Sequence, residues 1–237
     1  MRNIWTIAVK ELRAYFVSPI GYVTLAFWLF GVGLFFALGV LQSQQAAMQD
    51  WFSTIEVLLL FIGPALTMRL LAEEQGTGTW ELLMTSPVRE WEVVLGKFLG
   101  ATIFWLVMIV VTFFYPLILR LLGNPDMGPI FSGYLGLFLM GAAFLAIGVF
   151  TSSLSGNQII AYIVAFIALL SLWIIGFITP IVSGDLGTRL AALSVTTHFD
   201  DFGKGVIDFG NILFYLSLMA AALFATVQVM EARRARQ

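Results

Sequence analysis

Residues 127–184 read MGPIFSGYLGLFLMGAAFLAIGVFTSSLSGNQIIAYIVAFIALLSLWIIGFITPIVSG, without a single Asp, Glu, Lys or Arg. A helix that crosses roughly 30 Å of hydrocarbon needs about 20 apolar residues. This run is far too long for one span. Its polar cluster, Thr151-Ser152-Ser153-Leu154-Ser155-Gly156-Asn157, divides it into a helical hairpin with spans at 131–152 and 158–178. The alternation that a β-barrel needs is absent, so the predicted class is an all-α integral membrane protein.

Working outward, Gly21–Gln49 is equally free of charge and holds a first span at 20–41. Further spans fit at 52–71, 98–119 and 210–230, which makes six. Composition agrees: the 237 residues are 60% hydrophobic and only 11% charged, with a mean hydropathy of +0.95. Soluble domains average about 25% charged residues. The first apolar run is too long for a cleaved leader, and no small-residue cleavage site follows it. Cysteine is absent, which excludes disulfides and thiolate metal sites. Beyond the short tail Arg233, Arg234, Arg236 there is no basic patch, so nucleic acid is not an expected partner.

Orientation is read from Lys and Arg. Arg2, Lys10, Arg13, Arg69, Arg89, Lys97, Arg233, Arg234 and Arg236 fall on one side; Arg120, Arg189 and Lys204 fall on the other. The first side is therefore expected to be cytoplasmic, with both chain ends there, in a multi-pass protein of the cell's inner (cytoplasmic) membrane.

Three segments lie outside the spans. In residues 3–17, Trp5, Val9, Leu12 and Phe16 recur at helical spacing beside a polar stripe of Thr6, Lys10 and Arg13. This predicts an amphipathic helix in the headgroup region, serving either as a plain anchor or as an elbow that moves with the spans. Residues 72–97 form the second, on the cytoplasmic side of that topology. Glu73, Glu74, Glu81, Glu90 and Glu92 suit a solvated loop, whereas Trp80, Leu82 and Leu83 among them do not. Gly76 and Gly78 should break the helix leaving span two. Thr79 is placed to cap a short helix from Trp80 to about Thr85, with Glu81 in its first turn, and Ser86-Pro87 ends it. Such a short amphipathic helix suits a groove on another protein.

The string at Glu73–Lys97, Glu-Glu-Gln followed by Gly-Thr, Glu-Leu-Leu, Pro87-Val88 and Gly96-Lys97, resembles the signature of ABC-2-type (type V) ABC transporter permeases. The resemblance extends over the whole chain: elbow helix, six spans, long 2–3 loop, short 4–5 turn and structured outer segment. It implies that this stretch is the coupling helix that docks on a separate ATPase. Glu74, Gly78, Thr79, Glu81, Leu82, Leu83 and Pro87 match the motif; Glu73 and Trp80 join the candidate coupling set as neighbours. It also implies an ATPase pair carrying ATP and Mg, a second permease subunit, identical or not, and export as the usual direction. The chain itself is expected to bind no cofactor and to be no enzyme. It lacks Gly-x-x-x-x-Gly-Lys-[Ser/Thr], since neither Gly96-Lys97 nor Gly203-Lys204 has the required flanks. Intramembrane protease chemistry is likewise unsupported: one histidine excludes His-x-x-x-His zinc chemistry, and Ser155-Gly156 lacks the upstream glycine of a rhomboid-like site.

The third segment, 180–209, is read as one or two re-entrant or interfacial outer helices. Phe199, Phe202, Val206 and Phe209 would form its apolar face, opposite paired Asp200, Asp201, Lys204 and Asp208. Thr197–Asp208 resembles the corresponding stretch of the gliding-motility-type branch of the family. That branch admits a second role: a non-transporting module that relays ATPase strokes to an extracytoplasmic auxiliary protein. His198, the lone histidine, is read as a capping or surface residue, with a proton switch or metal ligand as the alternative.

Polar residues inside the spans are few. Glu56 either lines a substrate path or pairs with Arg120, or else it snorkels to the surface. Arg69 is expected to snorkel to phosphates, and Pro64 to kink span two. Gly133, Gly136, Gly141 and Gly148 would let span four pack closely, and Gly96-x-x-x-Gly100 at the start of span three is a lone small-x-x-x-small motif.

Overall fold

The computed structural model describes residues 2–43, 48–79, 88–179, 181–182 and 184–235. Among the described residues every regular element is helical: α1 (Arg2–Val17), α2 (Pro19–Ser43), α3 (Gln49–Thr67), α4 (Ala72–Gly76), α5 (Glu90–Val111), α6 (Phe114–Leu122), α7 (Met127–Leu154), α8 (Gln158–Ile178), α9 (Asp185–Leu193), α10 (Val195–Gly203) and α11 (Phe209–Arg234). Six segments are long and apolar enough to cross a membrane: Pro19–Leu41, Gln49–Gly76, Glu90–Leu122, Met127–Leu154, Gln158–Ile178 and Phe209–Arg234. The architecture is that of a six-span, all-α membrane protein.

Helix α7 is the axis of the bundle and is buried along nearly its whole length. Its glycines explain how. A methyl group added to Gly133 would lie 2.4 Å from the Phe52 ring, to Gly136 2.7 Å from Phe202, to Gly141 2.3 Å from the Trp105 indole nitrogen, and to Gly148 2.0 Å from the Thr67 hydroxyl. Helices α3, α5 and α10 thus close on α7 because it presents no side chain there. In lipid, where apolar packing partners are available everywhere, such close approach is what holds spans together. By contrast α8 and α11 leave Ile159, Ile163, Ile167, Leu213, Leu216 and Phe224 exposed on their outer sides.

Two spans are interrupted. Span two ends as helix at Thr67, short of the expected residue 71, and resumes as α4 after a turn. Span three begins at Glu90 and breaks at Thr112-Phe113. The second break has a local cause. Pro116 has no N–H to give the carbonyl four residues back, Thr112. That carbonyl accepts from the Tyr134 hydroxyl at 2.9 Å and from Tyr115 N at 3.0 Å.

The pair Gly96 and Gly100 seats α1 rather than another span. A methyl at either would come within 2.7 Å of Ile7 Cβ or Glu11 Cβ respectively. The buried face of α1 is Ala8, Glu11 and Tyr15, while Trp5, of the expected apolar stripe, is 61% exposed.

At the other end, α9 and α10 cap the bundle. Phe199 and Phe202 are buried as expected, but Val206 and Phe209 are exposed, because the helix stops at Gly203 and the chain turns through Gly205 at φ +93°. The expected charge pairs are also absent: Lys204 makes no ion pair among the described residues. Asp201 instead accepts from Asn211 Nδ2 at 2.9 Å, and Asp208 caps α11 through Gly210 N at 2.9 Å.

Gly141→Ala should cost about 1–3 kcal/mol through overpacking. Gly203→Ala, where an added methyl meets nothing within 4 Å, should cost far less. Thermal unfolding of both variants in the same detergent checks the difference.

Candidate functional site

Among the described residues, three of the four ion pairs lie at the end of the bundle where α1, α4, the start of α5, the α7–α8 turn and the end of α11 meet. The junction begins where span two unwinds. Ser152 of α7 places its hydroxyl in the break: it accepts from Leu71 N at 3.1 Å and Ala72 N at 3.0 Å, and donates to Met68 O at 3.1 Å. One buried side chain thereby satisfies backbone groups that the helix has released.

Helix α4 is then tied on several sides. Gln75 Nε2 donates to Ser153 O at 3.0 Å, and its Oε1 accepts from Arg233 Nη1 at 2.7 Å. Arg233 Nη2 also donates to Leu154 O at 2.9 Å. Gly76 lies against Gly156 O so closely that a methyl there would approach to 2.5 Å. Arg234 pairs with Glu90 at the start of α5. Glu92 accepts from Arg89 N at 3.1 Å and from Asn3 Nδ2 at 3.2 Å, which draws the start of α1 to the start of α5.

Lys97 sits at the centre, its side chain 3% exposed, with Nζ donating to Glu11 Oε1 and Glu74 Oε1, each at 2.8 Å. Beside it the Arg69 guanidinium lies 4.6 Å over the Tyr15 ring, and Tyr15 donates its hydroxyl to Leu66 O at 2.5 Å. Burial pushes the Tyr15 phenol well above its ordinary range, with Arg69 opposing. Arg69 therefore turns into the protein. Lys97, Glu11, Glu74 and Arg69, with Lys10, Ser18, Glu73, Thr77 and Thr79, line a cavity of about 820 Å³.

Of the candidate coupling residues, Glu73 is exposed, Glu74 is half-buried on Lys97, and Gly78 takes φ +73°, a backbone conformation that glycine adopts freely. Thr79 shares a hydrogen bond with Thr77 at 3.0 Å. Trp80, Glu81, Leu82, Leu83 and Pro87 lie outside the described residues. Sequence reading did not single out Glu11, Gln75, Ser152 or Arg233. The available signal was the Gly96-x-x-x-Gly100 spacing around Lys97, and only helix packing reveals that its partner is α1 with Glu11.

Glu56 and Arg120 are not brought together. Glu56 is buried in α3 beneath α10, whereas Arg120 is exposed and makes no ion pair among the described residues. The snorkelling alternative for Glu56 fails as well, because the residue faces the bundle interior. His198 is held by Asn211 Oδ1 at 2.7 Å and Ala192 O at 3.3 Å, and it stacks on Phe214. No cluster of three potential metal ligands exists among the described residues.

A six-span bundle with an amphipathic first helix, and with its charged junction between spans two and three, has the form of a transporter membrane subunit. Residues 5–230 match the family model described as ABC-2 family transporter protein, and the chain belongs to that family. It is a multi-pass permease subunit, and this membership implies an ATPase partner. A search of the curated proteins finds no match to this chain.

Ser152→Ala leaves Leu71 N and Ala72 N without an acceptor, a loss of about 1–3 kcal/mol. Amide exchange at these two positions should accelerate about tenfold or more, and hydrogen-exchange mass spectrometry would register it.

Proposed function

We propose that the chain is half of the membrane core of an ATP-driven exporter, and that residues 72–97 carry the coupling helix on which a separate ATPase acts. The observation that carries this reading is the place of the segment. Its motif-bearing root, Glu73–Thr79, emerges from the junction that ties α1, α5, α7 and α11 together, so a push there reaches most of the bundle at once. Glu73, Glu74, Gly78, Thr79, Trp80, Glu81, Leu82, Leu83 and Pro87 are the proposed coupling residues. ATP and Mg belong to the ATPase dimer, and a second permease subunit completes the core. Both chain ends lie in the cytoplasm in this reading. The resemblance of Thr197–Asp208 supports placement in the gliding-motility-type branch, with an extracytoplasmic auxiliary protein on the α9–α10 cap.

Glu81→Lys, or Leu82 and Leu83 both to Asp, should abolish co-purification with the ATPase while membrane insertion is retained. Undiminished co-purification would overturn the coupling assignment. For topology, cysteine at Ala47 should react with an impermeant maleimide in intact cells, whereas cysteine at Thr77 should react only after permeabilisation. The opposite pattern would invert the orientation.

A further inference from the structure

We infer that Lys97 is a positioning residue that clamps α1, α4 and the start of α5 into one body, so that force applied to the coupling segment moves α1 and span three together. This rests on the coupling reading of 72–97. Lys97 Nζ stands 2.8 Å from Glu11 on α1 and 2.8 Å from Glu74 on α4, and the side chains of both partners are at most 16% exposed. An ammonium enclosed by two carboxylates resists separation, because any parting leaves an unpaired charge in a poorly solvated site. Arg69, on the wall of the same cavity, sets a second cation near the two carboxylates.

Geometry around the lysine reinforces the clamp. Gly96 and Gly100 admit α1 immediately before and one turn after Lys97, so Glu11 has little room to slide. Tyr15 fastens α1 a second time, through Leu66 O on α3 and the Arg69 guanidinium. Beyond α4 the character changes: Thr77, Gly78 and Thr79 are exposed, and Gly78 has positive φ. The rigid body therefore ends at Thr77, whose N and Oγ1 both donate to Glu73 O on α4 at 2.9 and 2.8 Å, and the swivel between it and the docking segment is Gly78–Thr79. The elbow helix is thus part of the driven body rather than a passive anchor.

The absence of cysteine permits a direct test by pulsed electron paramagnetic resonance, on the complex, with spin labels at Thr6→Cys and Thr77→Cys. In the otherwise native chain the distance distribution should be narrow and identical with and without ATP plus vanadate. The distance from Thr6→Cys to Asp185→Cys should shift with nucleotide. Lys97→Met should broaden the Thr6–Thr77 distribution about twofold, and Lys97→Arg should restore it. Glu11→Gln, which leaves the Lys97–Glu74 pair intact, should also broaden it and guards against a Lys97→Met variant that fails to fold. A Thr6–Thr77 distance that changes with nucleotide in the native background, or distributions in Lys97→Met and Glu11→Gln as narrow as native, would overturn the clamp. Failure of the ATPase to co-purify with the native chain would count against the coupling reading alone; the nucleotide-free comparison still decides the clamp.

Discussion

In hydrocarbon a backbone amide has no water to turn to, so each place where a helix lets go of its own hydrogen bonds must be answered by a neighbouring side chain. The tertiary structure of this permease is organised around those answers. Tyr134 takes the Thr112 carbonyl where Pro116 interrupts span three, and Ser152 takes three backbone groups where span two unwinds. At the far end Ser132 donates to Phe202 O at 2.6 Å and Tyr215 to Val195 O at 2.7 Å, which holds α10 down as a cap. Three of these four side chains come from α7, the helix whose glycines let the others approach. Close packing and backbone satisfaction are therefore served by the same element.

The two ends of the bundle solve the polar problem differently. One end neutralises charge with charge: Glu11, Glu74 and Glu90 each meet a Lys or Arg from another element. The other carries the exposed pair Arg189–Asp185 within α9 and otherwise relies on hydrogen bonds and aromatic stacking, with Asn211 joining His198 to Asp201. This asymmetry suits the family. At the first end ion pairs join separate helices, whereas buried Phe199 and Phe202 close the bundle at the second.

Much of the fold was legible in the sequence, because hydrocarbon imposes a length and polarity rule on every span. The charge-free run 127–184 and its Ser-rich divide gave the hairpin of α7 and α8. Gly133, Gly136, Gly141 and Gly148 read as a close-packing face, and they are one. Other readings failed where the deciding partner is remote in sequence. Glu56 and Arg120 looked like a pair from their depth alone, yet α10 covers Glu56 and leaves Arg120 outside. Lys204 looked paired by spacing, but it caps α10 without an ion pair among the described residues, and Asp208 lies beyond the turn at Gly205.

The sequence by itself determined the number of spans, the helical class and the motif-bearing segment between spans two and three, since these depend on local composition and periodicity. Only the tertiary structure decided what Lys97, Gln75 and Arg233 do. Their partners lie tens of residues or more away along the chain, and the pairing depends on helix packing rather than spacing. The same holds for Gly96 and Gly100: their spacing announced a helix contact, but only packing could assign it to α1.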